Sequence, residues 1–233
     1  MKSLNEIREN LKAFENQFGI PVLDSIQGSD AWFKLKLGVI SASNASKVVA
    51  KKDSETRNTY MCQLVAQVCT GIMDEINGKA LDWGKQTEDS ARACYEFSTG
   101  ATMTQLPFVY KDGLFREGCS PDGIVSPTKG VEIKCPFNTV NYIQFLANGH
   151  IKPEYVWQYQ YTMRVMGAKE WDFVQYDPRM KTTPIKIVTI SVDEEKQKTM
   201  DDAVPQFISD MDKMLEKIGI KFGDHWKAIG AKE

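Results

Sequence analysis

The sequence predicts an α/β domain with a mixed central β-sheet flanked by helices. Three observations lead there. The apolar period switches along the chain in the order helix, strands, helix, strands, helix. Of 233 residues, 42% are hydrophobic, enough to bury one sizeable core. No internal repeat, low-complexity linker or shift in composition divides residues 1–233, so a single domain is expected, with an N-terminal helix within 1–20 and a C-terminal helix over 193–218.

Each element follows from local signals. Leu4, Ile7, Leu11, Phe14 and Phe18 recur at helical spacing over residues 3–18, giving a charged amphipathic helix that packs on the domain or on a neighbouring subunit. Ser41 is placed to cap a short helix running to Ala50. Tyr60, Leu64, Val65 and Val68 mark a helix from Ser54 to Thr70 that Gly71 closes, and a third spans Lys79 to Ser98 before Gly100. The pattern then turns to strands at 102–110, 114–118, 123–126 and 130–135, broken by Asp112-Gly113 and Pro127. Helices fit 137–147 and 153–166, strands 170–176 and 185–191, and the long helix 193–218.

A net charge of −2 and a pI near 5.8 mean that composition alone does not announce a nucleic-acid binder, and any basic surface is local. No apolar run reaches membrane-spanning length, and Met1 to Asn16 lacks a signal-peptide core; no membrane association is expected and the cytoplasm is the expected location. The five cysteines are odd in number and lack zinc-ligand spacing, so buried free thiols are expected. His150 and His225 lie far apart in sequence and are assigned structural or surface roles.

The chemistry concentrates in Ser120-Pro121-Asp122-Gly123 followed by Val131-Glu132-Ile133-Lys134-Cys135. In an extended strand Glu132 and Lys134 share one face, while Val131, Ile133 and Cys135 face a core. The Gly- and Pro-rich turn lets the chain fold back and set Asp122 beside Glu132. Two carboxylates and an amine form a site for a hard cation such as Mg²⁺ with a base or charge stabiliser built in. A surface hairpin with ordinary charges is the plain alternative. The pattern resembles the PD-(D/E)xK nuclease superfamily, in the form Pro121-Asp122 … Glu132-Ile133-Lys134.

Further blocks extend the resemblance. They are Trp32 to Ser43, Trp83-Gly84-Lys85-Gln86-Thr87-Glu88, Cys119 to Gly123, Glu132 to Phe137, Tyr176-Asp177-Pro178-Arg179-Met180-Lys181 and Phe222-Gly223-Asp224-His225-Trp226. In this order, from about Asp30 to Trp226, they are similar to the lambda-type phage recombination exonucleases, the YqaJ-like viral recombinase family. The resemblance implies a PD-(D/E)xK nuclease core. It also implies a Mg²⁺-dependent enzyme, with Mn²⁺ as a substitute, that digests one strand of linear duplex DNA from its 5′ end to mononucleotides and leaves a 3′ single-stranded tail. The implied metal ligands are Asp122, Glu132 and the main-chain carbonyl of Ile133, with Glu88 reaching the metal directly or through water; Glu88 paired with Arg92 at i+4 is the alternative. Lys134 is the general base or its electrostatic aide. Gln158 falls at the family's active-site glutamine, with Tyr155, assigned with the phosphate and DNA contacts, and Tyr161 on the same helical face, where core packing competes as a role.

Lys36, Ser43 and Ser120 fall where the family holds the 5′-terminal phosphate, but Lys36 replaces an arginine and loses its two-pronged grip. Ser43 also reads as a helix cap and Ser120 as a turn residue. Val140 stands where the family has a basic residue on the DNA. Trp32, Trp157 and Trp171 could stack on bases, but burial in the core or an interface suits each at least as well. The implied partners are double-stranded DNA ends, two further copies in a homotrimer ring, and a phage single-strand annealing protein, inside a bacterial host. The rivals are an endonuclease on the same scaffold and a catalytically silent DNA-binding or scaffold protein.

Overall fold

The strands form two sheets rather than one in the computed structural model, which describes residues 1–73 and 78–231. In the smaller sheet, β1 (Ile40–Ser41) runs parallel to β3 (Glu117–Cys119), and β2 (Val109–Tyr110) is antiparallel to β3 on its other side. In the larger, β4 (Gly123–Ser126), β5 (Lys129–Lys134), β6 (Glu170–Tyr176) and β7 (Ile185–Ser191) lie in that order, with β5 and β6 parallel and the outer pairs antiparallel. The expected central sheet is mixed but divided between β3 and β4, where Pro121 has no N–H to offer a ladder. The strand expected over 102–110 shrinks to β2 and one isolated bridge, Thr104 to Ile124. That expected over 114–118 starts later, since Phe115 adopts a positive φ of 57°.

Helices follow their local signals where those are strong. The helix α1 (Leu4–Phe18) opens on a reciprocal capping box between Ser3 and Glu6. Its Phe14 sits among Tyr110, Phe115 and Trp226, so the helix packs on its own domain, while Leu4 is left exposed. Next comes α2 (Asp30–Lys36), capped by Ser29. The helix expected from Ser41 is a 3₁₀ turn, Ala42–Asn44, followed by a single turn, α3 (Ala45–Val48), and Ser41 makes no side-chain cap. Instead its hydroxyl accepts from Asn44. The helices α4 (Glu55–Thr70) and α5 (Lys79–Thr99) close on Gly71 and Gly100, both left-handed. Then come α6 (Thr139–Asn148), α7 (Pro153–Met166), α8 (Glu194–Lys217) and α9 (Asp224–Gly230).

Two packing units hold the site-bearing strand. Across one face of the larger sheet, Ala91 and Tyr95 of α5 pack with Val131, Ile133, Val174 and Tyr176. On the other, Phe173 of β6 meets Phe145 of α6 and Tyr155 and Tyr159 of α7. The C-terminal α9 ties down α2: Trp226 Nε1 donates to the Lys34 carbonyl at 2.7 Å, and His225 Nε2 lies 3.1 Å from the Leu37 carbonyl. Burial pushes His225 down to about 4, so at neutral pH the ring is neutral and donates that bond. His225 is therefore structural. Of the five free cysteines only Cys119 is buried, and Cys62 and Cys69 face solvent. Buried thiols were the default expectation, but Cys62 and Cys69 lie off the stripe that buries Tyr60, Met61, Leu64, Val65 and Val68 of α4. No helix among the described residues is long and apolar enough to cross a membrane.

Asp172 of β6 gathers a buried polar network. It accepts from Tyr95, Thr189 and Lys129, each at 2.7 Å. Burial acts to raise its carboxyl, but these donors outweigh burial and hold it below the usual range. Its stabilising contribution is thus present at neutral pH and is lost as pH falls through the depressed value. Asp172→Ala should lower unfolding free energy by about 3 kcal/mol, the scale of breaking a buried pair, and urea denaturation measures it. A loss below about 0.5 kcal/mol, the range of an ordinary surface substitution, would contradict this.

Candidate active site

The site is built on the β4–β5 hairpin, whose register sets Gly123 opposite Val131. This folds the chain so that Asp122 Oδ2 accepts the Ile133 N–H at 2.6 Å. Glu132 and Lys134 leave β5 on one face, as strand geometry requires, with Lys134 Nζ 2.5 Å from Glu132 Oε1. Gln158 Nε2, one turn into α7, donates to the same oxygen at 2.6 Å. Glu132 is 2% exposed. Four of the sequence-derived residues therefore meet in one place.

Their charges are out of balance. Burial, and then the charge of Glu132, push the Asp122 carboxyl well above the usual carboxylate range, against the opposing pull of Lys134 and the Ile133 N–H. For Lys134, burial acts to lower the ammonium, but Glu132 and Asp122 outweigh it and hold the proton more tightly than usual. Only when both carboxyls are ionised do their charges exceed that of the one ammonium, and a bound cation is what would offset the excess. That donor set fits a hard divalent cation, which takes a few carboxylate oxygens and keeps waters. Among the described residues no three acidic, His or Cys side chains converge on one point. Glu88 faces the same cleft but gives its Oε1 to Arg92 at 3.4 Å, the i+4 pairing anticipated as its alternative.

A cleft of about 560 Å³ opens over these groups. Leu81, Gly84, Lys85 and Glu88 of α5 form one wall, Asn141 and Gln144 of α6 another, and His150 and Lys152 lie at its α7 side. Asp122, Ile133, Lys134 and Tyr155 also line it. The Tyr155 ring centroid is 5.1 Å from Lys134 Nζ. Tyr161, on the same predicted face, is instead fully buried and donates to the Ile40 carbonyl. The loop Pro136–Phe137 is pinned by Arg179, which donates to both carbonyls at 3.0 Å, pairs with Asp177 and lies over Trp83 at 4.4 Å. In the sequence Asp177-Pro178-Arg179 serves only as a family marker; the opposite charges two residues apart were the available signal, and the burial of Asp177 emerges only in the fold.

The residues expected at a 5′-terminal phosphate are less simply arranged. Trp32 Nε1 donates to Ser120 Oγ at 3.0 Å and to the Pro107 carbonyl at 2.7 Å, and Lys36 Nζ lies 3.7 Å from the Trp32 ring centroid. Trp32 thus joins Lys36 to Ser120, a linkage with no local sequence signal. Burial brings Lys36 down to about 8. Ser43 is exposed inside the 3₁₀ turn and bonds to Ser41 and Asn44. Lys36, Ser43 and Ser120 are all absent from the walls of the 560 Å³ cleft. Trp171 is buried core, Trp157 is half-buried beside Lys196, and Val140 is exposed.

A model of the YqaJ-like viral recombinase domain matches residues 31–169 of this sequence, a span that contains Asp122, Glu132, Lys134 and Gln158. The chain is 32% identical to LHK-Exo, an alkaline exonuclease from Laribacter hongkongensis whose crystal structures include a complex with dAMP. That superposition has a TM-score of 0.75 and covers 82% of this chain and 96% of the other. Over 77 residues it is 42% identical to ExoD of Escherichia coli (strain K12), spanning 33% of this chain and 88% of that protein. A phage related exonuclease from Haemophilus somnus 129PT, at 12% identity and TM-score 0.62, shares the fold over 78% of this chain and 96% of its own.

Proposed function

This chain belongs to the YqaJ-like viral recombinase domain family, and from that premise we propose a Mg²⁺-dependent exonuclease that digests one strand of linear duplex DNA from the 5′ end. It would release mononucleotides and leave a 3′ single-stranded tail for recombination by strand annealing. The observation that carries the reading is the meeting of Asp122, Glu132, Lys134 and Gln158, of which Asp122 and Lys134 line an open cleft.

Asp122, Glu132 and the Ile133 main-chain carbonyl are the oxygens assigned to Mg²⁺ or a substituting Mn²⁺, with Glu88 acting through water. When bound, the cation supplies positive charge that acidifies the attacking water and stabilises the phosphoryl oxygens. Gln158 fixes the Glu132 carboxylate from α7. Lys134 is assigned to take the water's proton. In the present arrangement the two carboxylates keep it an ammonium, so it serves as base only when they are otherwise engaged. A water-oxygen-to-phosphorus bond forms as the bond to the 3′ oxygen breaks. The leaving oxygen takes up a proton, and the remaining strand keeps a new 5′ phosphate.

Lys36, Ser120 and Ser43 are assigned to that 5′ phosphate. Lys36 and Ser120 are already linked through Trp32. Lys36→Ala should lose most of the preference for 5′-phosphorylated over 5′-hydroxyl ends, and Lys36→Arg should keep or strengthen it. Initial rates on matched duplexes decide; equal preference in the parent and Lys36→Ala would remove Lys36 from the pocket.

DNA ends, a homotrimeric ring and a phage annealing protein complete the proposal, set in the bacterial cytoplasm. A ring suits an acidic protein of net charge −2, whose outer surface is a poor means of holding DNA. Light scattering of a monomer that still degrades long duplexes without dissociating would contradict the ring. The activity itself is tested with linear 5′-phosphorylated and covalently closed circular duplex in Mg²⁺. Mononucleotides from the linear substrate alone are expected; nicking of the circle would make the enzyme an endonuclease, and inertness toward both would make it a binding protein.

A further inference from the structure

One polar group at the cleft has no part in this chemistry. Gln175 stands on β6 as the direct partner of Lys134 across the parallel β5–β6 ladder, so the two side chains leave the sheet side by side on one face. Both line the cleft. Gln175 is 3% exposed, and its Oε1 is buried with no hydrogen-bond partner among the described residues. Buried acceptors are normally paired, and an unpaired one at the edge of a reaction cleft calls for a donor that arrives during function.

Lys134 is the donor next to it. Its ammonium has three N–H bonds and here gives one to Glu132 Oε1, an oxygen it shares with Gln158. When Glu132 turns its charge to other business in the cleft, that ammonium loses its anchor. We propose that Gln175 is a positioning residue for Lys134, whose Nζ turns onto Gln175 Oε1 once Glu132 is engaged elsewhere. Gln175 then keeps the nitrogen aimed at the attacking water instead of drifting toward the Tyr155 ring. This rests on the exonuclease reading. Neither a motif nor local spacing marks Gln175; only the parallel register brings it to Lys134.

The test substitutes Gln175→Met, which keeps length and burial but removes the carboxamide, in the parent and in Lys134→Ala. Single-turnover cleavage of a linear 5′-phosphorylated duplex should fall about tenfold in Gln175→Met, with end affinity within about twofold, the scale on which supporting residues act. In the Lys134→Ala background the same change should cost less than about twofold, because a residue acting through Lys134 has nothing left to position. An equal loss in both backgrounds would show that Gln175 touches the DNA itself, and a parental rate in Gln175→Met would show no role; either overturns the proposal. A readout free of activity is the Lys134 side-chain Nζ resonance in ¹⁵N NMR of the Mg²⁺-loaded protein, which reports the contact in either protonation state. It should move between parent and Gln175→Met, and an unchanged resonance counts against the contact. Should the parent fail to cleave linear DNA, the exonuclease reading falls while this resonance still decides the contact.

Discussion

Glu132→Gln should lower Mg²⁺-dependent cleavage of linear duplex by ~10³-fold or more, the scale of removing one member of a catalytic set that works as a unit. The substitution keeps shape and removes charge. Glu132 is buried, and its Oε1 receives both Lys134 and Gln158. A neutral carboxamide there competes with Gln158 as a donor, releases Lys134 from its ion pair and halves the anionic charge available to a divalent cation. Folding should survive, because the like charge of Asp122, whose carboxyl is pushed up by burial and then by Glu132, is relieved rather than aggravated. Circular dichroism establishes the fold, and a chelator should silence the parent in the same assay. Turnover within about tenfold of the parent in folded Glu132→Gln would dismiss the assignment.

Lys134→Ala should lower single-turnover cleavage by ~10²- to 10⁴-fold, the range for a positioned general base, while affinity for DNA ends changes little. The separation follows from placement. Lys134 is beneath the cleft against two carboxylates, whereas Lys36 lies over Trp32 beside Ser120, outside the cleft walls. Lys134→Ala that loses end binding but keeps its cleavage rate would move this lysine from chemistry to binding.

Local signals explain what the sequence made legible. The helices α4 and α5 and the strands β6 and β7 lie within a residue of expectation because serine and glycine caps and apolar periods are written into consecutive residues. The helices α2 and α9 escaped notice because each has only seven residues and leans on the other, through the Trp226 bond to the Lys34 carbonyl. The division into two sheets depends on long-range pairing, β1 to β3 across more than seventy residues, which no local pattern encodes.

The site divides the same way. The meeting of Asp122, Glu132 and Lys134 follows from a hairpin and the two-residue period of a strand. Gln158 reaches Glu132 from 26 residues away, and only the resemblance pointed to it. Trp32 reaches Ser120 across 88 residues and was weighed only as a stacking or core residue. Gln175 was not singled out at all, since its place beside Lys134 is set by the register of a parallel pair.

The central claim is that this cleft hydrolyses one strand of a duplex from its 5′ end. The most direct measurement is a linear 5′-phosphorylated duplex labelled, in separate preparations, at the 5′-terminal and the 3′-terminal nucleotide of one strand, sampled during digestion in Mg²⁺. The 5′ label should appear first as a mononucleotide, with the 3′ label retained in long single strands and neither released by Glu132→Gln. Earlier release of the 3′ label, or release of both in oligonucleotides from internal cuts, would contradict the account.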